Sequence, residues 1–365
     1  MLEARIQGGA GREQGKKQGE REPVPRWKGW ERVRIDPLSG EVVDRDSPAA
    51  LEAIAPLIIS ASRSTDIPAF YGDWFSERLL RGYATWINPF SGAAQHVSFA
   101  RARVFVFWTK NPRPFLPVLR DLIREGRQVQ VLFTVNDYAG EGLEPGLPSL
   151  ADRVEAFCEV SKIVGRGRLT WRFDPVLLSD TLTVERVMER MGEIGDLLSG
   201  NASRLVFSFI ELERYPRVRR NLVACGAEEV REPSVAEETV IARRITELNE
   251  DWGLDLEACG EGRDFSCFGI GKAGCISAGI LAREFPEDTV LQDFLSSGPG
   301  GRSPKDPGQR KTCGCVPSKD IGRYSTCMHL CRYCYANSSA ARVAKNYAGY
   351  QRLREEGADN PSIIS

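Results

Sequence analysis

From Leu57 onward the chain alternates short apolar runs with longer amphipathic ones. That alternation restricts the folds open to it more than any other feature. The short runs are LIISASR (57–63), VFVFWTKN (104–111), QVQVLFTVND (128–137), LTWRFDPVLL (169–178), RLVFSFIEL (204–212) and LDLEACGEG (254–262). They are of strand length, rich in β-branched or aromatic residues, and each opens into polar residues at its C-terminal end. Between them lie PAFYGDWFSERLLRG, PRPFLPVLRDLIREG, SLADRVEAFCEVSKIVG, TVERVMERMGEIGDLLSG and PSVAEETVIARRITELNEDWG. Several of these begin at Pro, Ser or Thr and end at Gly, the start and stop signals of helices. Strand–helix alternation repeated about six times predicts an α/β fold with a parallel sheet and helical crossovers. Continuous apolar strands fit a sheet covered on both faces. The expectation is a partial or closed (β/α) barrel of six or more parallel strands.

Polar residues gather where these strands end: Arg63 and Asp66, Lys110 and Asn111, Asn136 and Asp137, Arg172 and Asp174, Glu211, and Glu257. One polar strand end is what solvent requires. Six on the same edge point to a shared site, because that edge hosts ligands in barrels and open α/β sheets.

At 365 residues and 42% hydrophobic, the chain is long enough for one large domain or two modest ones. A net charge of -1 provides no global basic field, so nucleic acid is not a favoured partner. No apolar run reaches membrane-spanning length, and the polar N-terminus has no signal-peptide core; a cytoplasmic location is expected. Ten cysteines in a reducing compartment are better suited to metal ligation or catalysis than to disulfides. Residues 1–50 have the composition of a disordered or loosely packed leader, with Trp27 and Trp30 suggesting that its last part packs on the main body. Residues 51–345 are expected to form the barrel, with a cysteine-bearing loop over 313–339, and 346–365 a tail whose final EEGADNPSIIS reads as unstructured.

The most specific motif is TCMHLCRYCYAN, which spaces Cys327, Cys331 and Cys334 as C-x3-C-x2-C. Four thiolates saturate a zinc ion or a cubane cluster; three on a tight loop leave one metal position open. An open iron of a [4Fe–4S] cluster can bind the amino and carboxylate groups of S-adenosylmethionine. The alternatives are structural zinc completed by His329, Cys313 or Cys315, and an all-cysteine cluster that carries electrons. A closed zinc knuckle usually pairs two C-x2-C units, and only one is present.

These residues resemble the radical S-adenosylmethionine superfamily, whose fingerprint is C-x3-C-x-aromatic-C. YSTCMHLCRYCYAN is similar to the cluster loop of the spore photoproduct lyase branch. ISASRSTDIPAFY, FWTKNPRPFL and LEPGLPSLADRVEAF…WRFDPVLLSD resemble segments that follow that loop in the branch; here they precede it, so the chain resembles a circular permutation. The nearest likeness is to the family called domain of unknown function 1848, over about Leu57 to Ser339. The resemblance implies a cluster on Cys327, Cys331 and Cys334, with the Tyr333 backbone beside the adenine. It implies Thr65 and Asp66 as candidates for the amino group of S-adenosylmethionine. Arg63, Lys110 and Arg172 are candidates for its carboxylate or for the substrate. The glycine-glycine-glutamate stretch usual for the amino group is absent. A radical enzyme of unknown substrate is implied, with a reductant such as flavodoxin or ferredoxin as partner. The alternative is a non-catalytic iron–sulfur or zinc protein.

Four further cysteines, Cys259, Cys275, Cys313 and Cys315, could hold an auxiliary iron–sulfur cluster or zinc, or remain free thiols, with Cys267 able to replace one of them. Cys158 and Cys225 have no such company. The only histidines are His329 and His96, the latter on a predicted loop, which disfavours multi-histidine zinc and serine–histidine–acid chemistry. The Gly269–Gly274 run lacks the strand and acidic partner of a dinucleotide site. Residues 301–345 hold nine Lys or Arg against two acids, a local basic zone that could meet an anionic substrate or an acidic electron donor.

Overall fold

The computed structural model describes residues 29–44 and 46–364. Most of the expected leader, including Trp27, lies outside the described residues. Twelve strands follow in chain order: β1 (Glu31–Ile35), β2 (Leu51–Ala55), β3 (Ile58–Ala61), β4 (Tyr83–Ile87), β5 (Ala94–Ser98), β6 (Val104–Thr109), β7 (Gln128–Thr134), β8 (Leu169–Val176), β9 (Arg204–Phe209), β10 (Asp255–Ala258), β11 (Gly271–Lys272) and β12 (Lys319–Asp320). Eight of them form one sheet in the order β11-β10-β9-β8-β7-β6-β3-β12, and every pairing in it is parallel. Its edges, β11 and β12, are not bonded to each other, so the sheet is a partial barrel and not a closed one. The six strands expected from the sequence are the six central members. A second sheet, β1-β2-β5-β4, stands beside it. There the last part of the expected leader pairs antiparallel with β2, and Trp30 packs its ring 5.5 Å from Phe294. His96, expected on a loop, sits in β5 and bonds the Thr85 hydroxyl at 2.9 Å.

The continuous apolar runs are explained by what covers each face. Along β6, Phe105 and Phe107 point outward to the helices, while Val104 and Val106 point inward. Both faces of this strand are covered, which is why successive positions in it are apolar. The crossover helices Leu150–Val164, Val184–Leu198 and Val235–Trp252 start where Ser149, Thr183 and Ser234 accept bonds from the first turn. Ser234 and Glu237 complete a capping box, and Gly253 ends that helix at φ 64, a conformation glycine adopts without cost.

The inner face is filled by the segment running from β11 to β12. Ala273, Ile276, Leu281, Leu291, Phe294 and Val316 pack against Ile58, Val104, Val106, Leu132 and Val206. At the N-terminal mouth Asp288 takes Arg103 Nε and Gln128 Nε2, both at 2.7 Å, and Glu284 lies beside Arg168. That end of the barrel is therefore stoppered. Helices Ala278–Glu284 and Thr289–Leu295 form the stopper.

The last residues differ from the expected unstructured tail. A helix runs from Ala340 to Glu355, Trp74 Nε1 donates to the Asn360 carbonyl at 2.8 Å, and Ile363 is buried. The apolar face of that helix is sparse, Val343 and Tyr350 being its buried members, which is why periodicity did not announce it. Among the described residues, no helix is long and apolar enough to cross a membrane.

Candidate metal and cofactor site

A cavity of about 280 Å³ opens at the C-terminal edge of the sheet. Cys327, Cys331 and Cys334 line it, and so do Cys259, Cys275, Cys313 and Cys315. Of the strand-end residues named from the sequence, Arg63, Thr65, Asp66, Lys110, Arg172, Asp174 and Glu211 face it, as does Tyr333. Cys158, Cys225 and Cys267 do not line it, and the last two are exposed.

The loop that carries the first three cysteines follows β12 and is tied down by its backbone. Tyr71 donates to the Thr326 carbonyl at 2.6 Å, Asn337 to that of Cys327 at 2.8 Å, and Asn346 to that of Ser325 at 2.8 Å. The Gly146 N–H donates to the His329 carbonyl, and the Arg332 N–H to that of Leu143. Two residues with side chains, Ser325 at φ 58 and Leu330 at φ 54, occupy the left-handed region. Such conformations cost on the order of 1–3 kcal/mol and persist where surrounding contacts dictate them. Burial pushes all three thiols up, Cys331 to about 12. Neutral thiols at such depth are ordinary; a metal is what makes their thiolates tolerable there.

Asp66 has a different task from the one expected. Its Oδ1 accepts from Ala69 N at 3.0 Å and caps the helix Ile67–Phe70. Its Oδ2 accepts from Thr109 Oγ1 at 3.1 Å and Lys110 N at 2.7 Å, and faces His329 Nε2 at 2.9 Å. Three of these four contacts fall on Oδ2, so most of the carboxylate is engaged within the protein and Oδ1 alone keeps a lone pair for a ligand. Asp66 and His329 instead pin the cysteine loop to the ends of β3 and β6.

Lys110 is likewise engaged. Its Nζ lies 2.8 Å from Glu144 Oε1 and 2.8 Å from the Tyr333 hydroxyl, and Tyr333 also donates to Glu144. Burial disfavours the Glu144 charge, but the Lys110 ammonium and the Tyr333 hydroxyl outweigh it and hold the carboxyl at about 2. Lys110 is therefore neutralised from within the protein and is not a free cation for a cofactor's carboxylate. Glu144, in the loop EGLEPG, gave no signal in the sequence because its carboxylate is summoned by residues far along the chain.

Thr65 fits a ligand-binding role better. It is buried, lines the cavity, and its hydroxyl has no partner among the described residues. A buried hydroxyl left unpaired costs on the order of 1–3 kcal/mol, a debt a bound polar group would cancel.

Arg63 and Arg172 both stack against Trp108, at 5.3 Å and 4.7 Å from its ring. Arg172 also pairs with Asp174, and its Nε has no partner among the described residues. Burial opposes the Arg172 charge, yet the Asp174 carboxylate, and the Cys275 and Cys259 sulfurs when ionised, favour it. Asn136 brackets Asp174 by its backbone, donating to the carbonyl at 2.8 Å and accepting from the N–H at 2.9 Å. Glu257 does not reach the cavity; it pairs with Arg204 at 3.0 Å behind the second cysteine set. Trp108 and Ser208 line the site but were not singled out in the sequence, since both lie within apolar runs.

In the second set, the Cys259 and Cys275 sulfurs are 3.2 Å apart, Cys315 adjoins both Cys275 and Cys313, and the Ile276 N–H donates to the Cys315 sulfur at 3.4 Å. Among the described residues, no three His, Cys, Asp or Glu side chains already surround one point as the ligands of a single ion would.

The fold and site define an α/β protein with a partial parallel barrel and cysteine-lined strand ends. A family model described as Domain of unknown function (DUF1848) matches residues 58–336, most of the chain, and the protein belongs to that family. No curated protein and no solved structure matches it.

Proposed function

We propose that the protein is a radical S-adenosylmethionine enzyme whose cluster is held by Cys327, Cys331 and Cys334. The observation that carries this reading is that Cys327, Cys331 and Cys334 all line one cavity at the C-terminal edge of a parallel sheet, where polar strand ends also meet. A [4Fe–4S] cluster held by these three thiolates would supply the electron, received from an external reductant, for reductive cleavage of the S–C5′ bond of S-adenosylmethionine, with methionine leaving and a 5′-deoxyadenosyl radical left to take hydrogen from a substrate. The chain's own residues do the holding. Asp66 and His329 fix the loop, Lys110 and Glu144 hold the hydroxyl of its own Tyr333, and Thr65 offers an unsatisfied hydroxyl to the cofactor. Arg63 is offered as a cation for a carboxylate or an anionic substrate, and Arg172, although paired with Asp174, still presents to the cavity an Nε unpartnered among the described residues.

A permuted order is supported by position. The cysteine loop follows β12, which is bonded to β3, so β12, loop, β3, β6 and β7 are spatial neighbours in sequence. A strand ahead of the loop thus stands beside the strand that begins the rest of the barrel.

Anaerobic reconstitution tests the proposal. Wild-type protein, given dithionite or a flavodoxin-type donor and S-adenosylmethionine, is expected to release 5′-deoxyadenosine. The Cys327→Ala/Cys331→Ala/Cys334→Ala variant is expected to release none. A cluster that forms on these cysteines without any cleavage would instead indicate an electron-carrying or structural protein, and zinc alone in the wild type would remove the iron–sulfur reading altogether.

A further inference from the structure

We infer that Cys259, Cys275, Cys313 and Cys315 form a second metal centre, a four-thiolate site set in the cavity wall that the first cysteine loop also faces. The inference goes beyond the proposed activity and stands on separate residues.

The site is built by two tripeptides that cross each other, Ala273-Gly274-Cys275 and Cys313-Gly314-Cys315. The Gly314 N–H donates to the Ala273 carbonyl at 3.1 Å. A Cβ on Gly274 would stand 2.6 Å from the Gly314 carbonyl oxygen, and one on Gly314 2.7 Å from that of Ala273. Only glycine at both positions lets the backbones touch, and the touching delivers Cys275 next to Cys315 and Cys313. Cys259 arrives from the end of β10, with its sulfur already against that of Cys275.

The crossing is held from behind by the barrel. Arg204 donates to the carbonyls of Gly274 and Cys275, at 3.1 Å and 3.2 Å, and Gln130 reaches the Cys275 carbonyl at 3.4 Å. The Ile276 N–H points at the Cys315 sulfur, as backbone donors do at thiolate centres. Four thiolates around zinc, or around a cubane cluster, retain net negative charge. Arg63 and Arg172 flank the set and offset that charge. Free thiols would need none of this: neither glycine pair nor cations. A tetrahedral ion with 2.3 Å bonds keeps sulfurs about 3.8 Å apart, so metal entry requires the Cys259 and Cys275 pair to part by about half an ångström, a small side-chain rotation. A cluster would open the set further.

The experiment is metal and acid-labile sulfide analysis on full-length protein purified anaerobically, in four forms. These are wild type, Cys327→Ala/Cys331→Ala/Cys334→Ala, that triple variant with Cys313→Ala/Cys315→Ala added, and Gly314→Val. Circular dichroism is recorded on each. The triple variant is expected to retain either one zinc or iron with equal sulfide, which identifies the metal. Adding Cys313→Ala/Cys315→Ala is expected to lower that metal at least ten-fold. Gly314→Val, which alters no sulfur, is expected to lower it similarly. Should a variant fail to fold, wild type still decides: a reconstituted chain with about eight irons, or about four irons and one zinc, supports the centre, whereas about four irons and no zinc overturns it. Free thiols or a Cys259–Cys275 disulfide in a metal-free triple variant also overturn it. Failure of the radical reading shows up elsewhere, as absent 5′-deoxyadenosine in wild type.

Discussion

Gly146→Val protein is expected to fold like its parent and, after reconstitution, to hold at least ten-fold less iron on Cys327, Cys331 and Cys334. A Cβ at this position would lie 2.6 Å from the Met328 carbonyl oxygen and 2.7 Å from that of His329. The two segments also touch through polar contacts: the Gly146 N–H donates to the His329 carbonyl at 3.1 Å, and the His329 ring Nδ1 lies 3.2 Å from the Gly146 carbonyl oxygen. A branched side chain must lift the loop between the first two cysteines away from its seat. Gly146 itself is exposed, so the barrel core is untouched, and the cost of the clash to stability is about 1–3 kcal/mol. Gly140→Ala is the control, because a Cβ there meets nothing within 4 Å. Iron and sulfide are measured on both. Full iron in Gly146→Val, or equal losses in the two variants, would show that this contact does not set the loop.

Glu144→Ala is expected to destabilise the protein by about 3–5 kcal/mol at neutral pH, since it leaves Lys110 without its carboxylate partner and removes the Tyr333 hydroxyl's acceptor. The loss depends on pH in a defined direction. The Glu144 carboxyl sits at about 2 in the folded protein against an ordinary value of 4.5. Its contribution is complete above 4.5 and disappears as pH falls toward 2; the gap of roughly 2.5 units corresponds to about 3 kcal/mol. Guanidinium unfolding at pH 7 and pH 3 checks this: the difference between parent and variant should narrow at the lower pH. Glu144→Leu combined with Lys110→Met should recover much of the loss, because a matched apolar pair leaves no buried charge unanswered. A variant as stable as the parent at pH 7 would mean that solvent already serves Lys110.

Most of the central strands were legible because they are buried on both faces, which forces an apolar run that composition cannot hide; β10, Asp-Leu-Glu-Ala, alternates instead and was legible from its period of two. The crossover helices were legible through their ends: Ser149, Thr183 and Ser234 bond their own first turns, so the signal is local. The edges were not. β11 is Gly-Lys and β12 is Lys-Asp, two residues each, with no strand preference of their own; the stopper segment between them sets their place. At the site, the sequence located Arg63, Thr65, Asp66, Lys110 and Arg172 by their position at strand ends, but not their partners. Asp66 and Lys110 are spent on His329, Glu144 and Tyr333, contacts that span 34 to 263 residues of chain. No window of sequence carries that information. The glycines at 274 and 314 were visible only as part of weak Gly-rich strings, because a crossing is a property of two segments and not of either.

The stoppered lower mouth also governs traffic. Leu281, Leu291 and Phe294 pack that end solid, and the cavity lies at the opposite rim, so whatever enters the cavity travels down one shaft and returns by it. Molecules sharing a blind shaft must queue: the occupant of the deepest berth boards first and disembarks last.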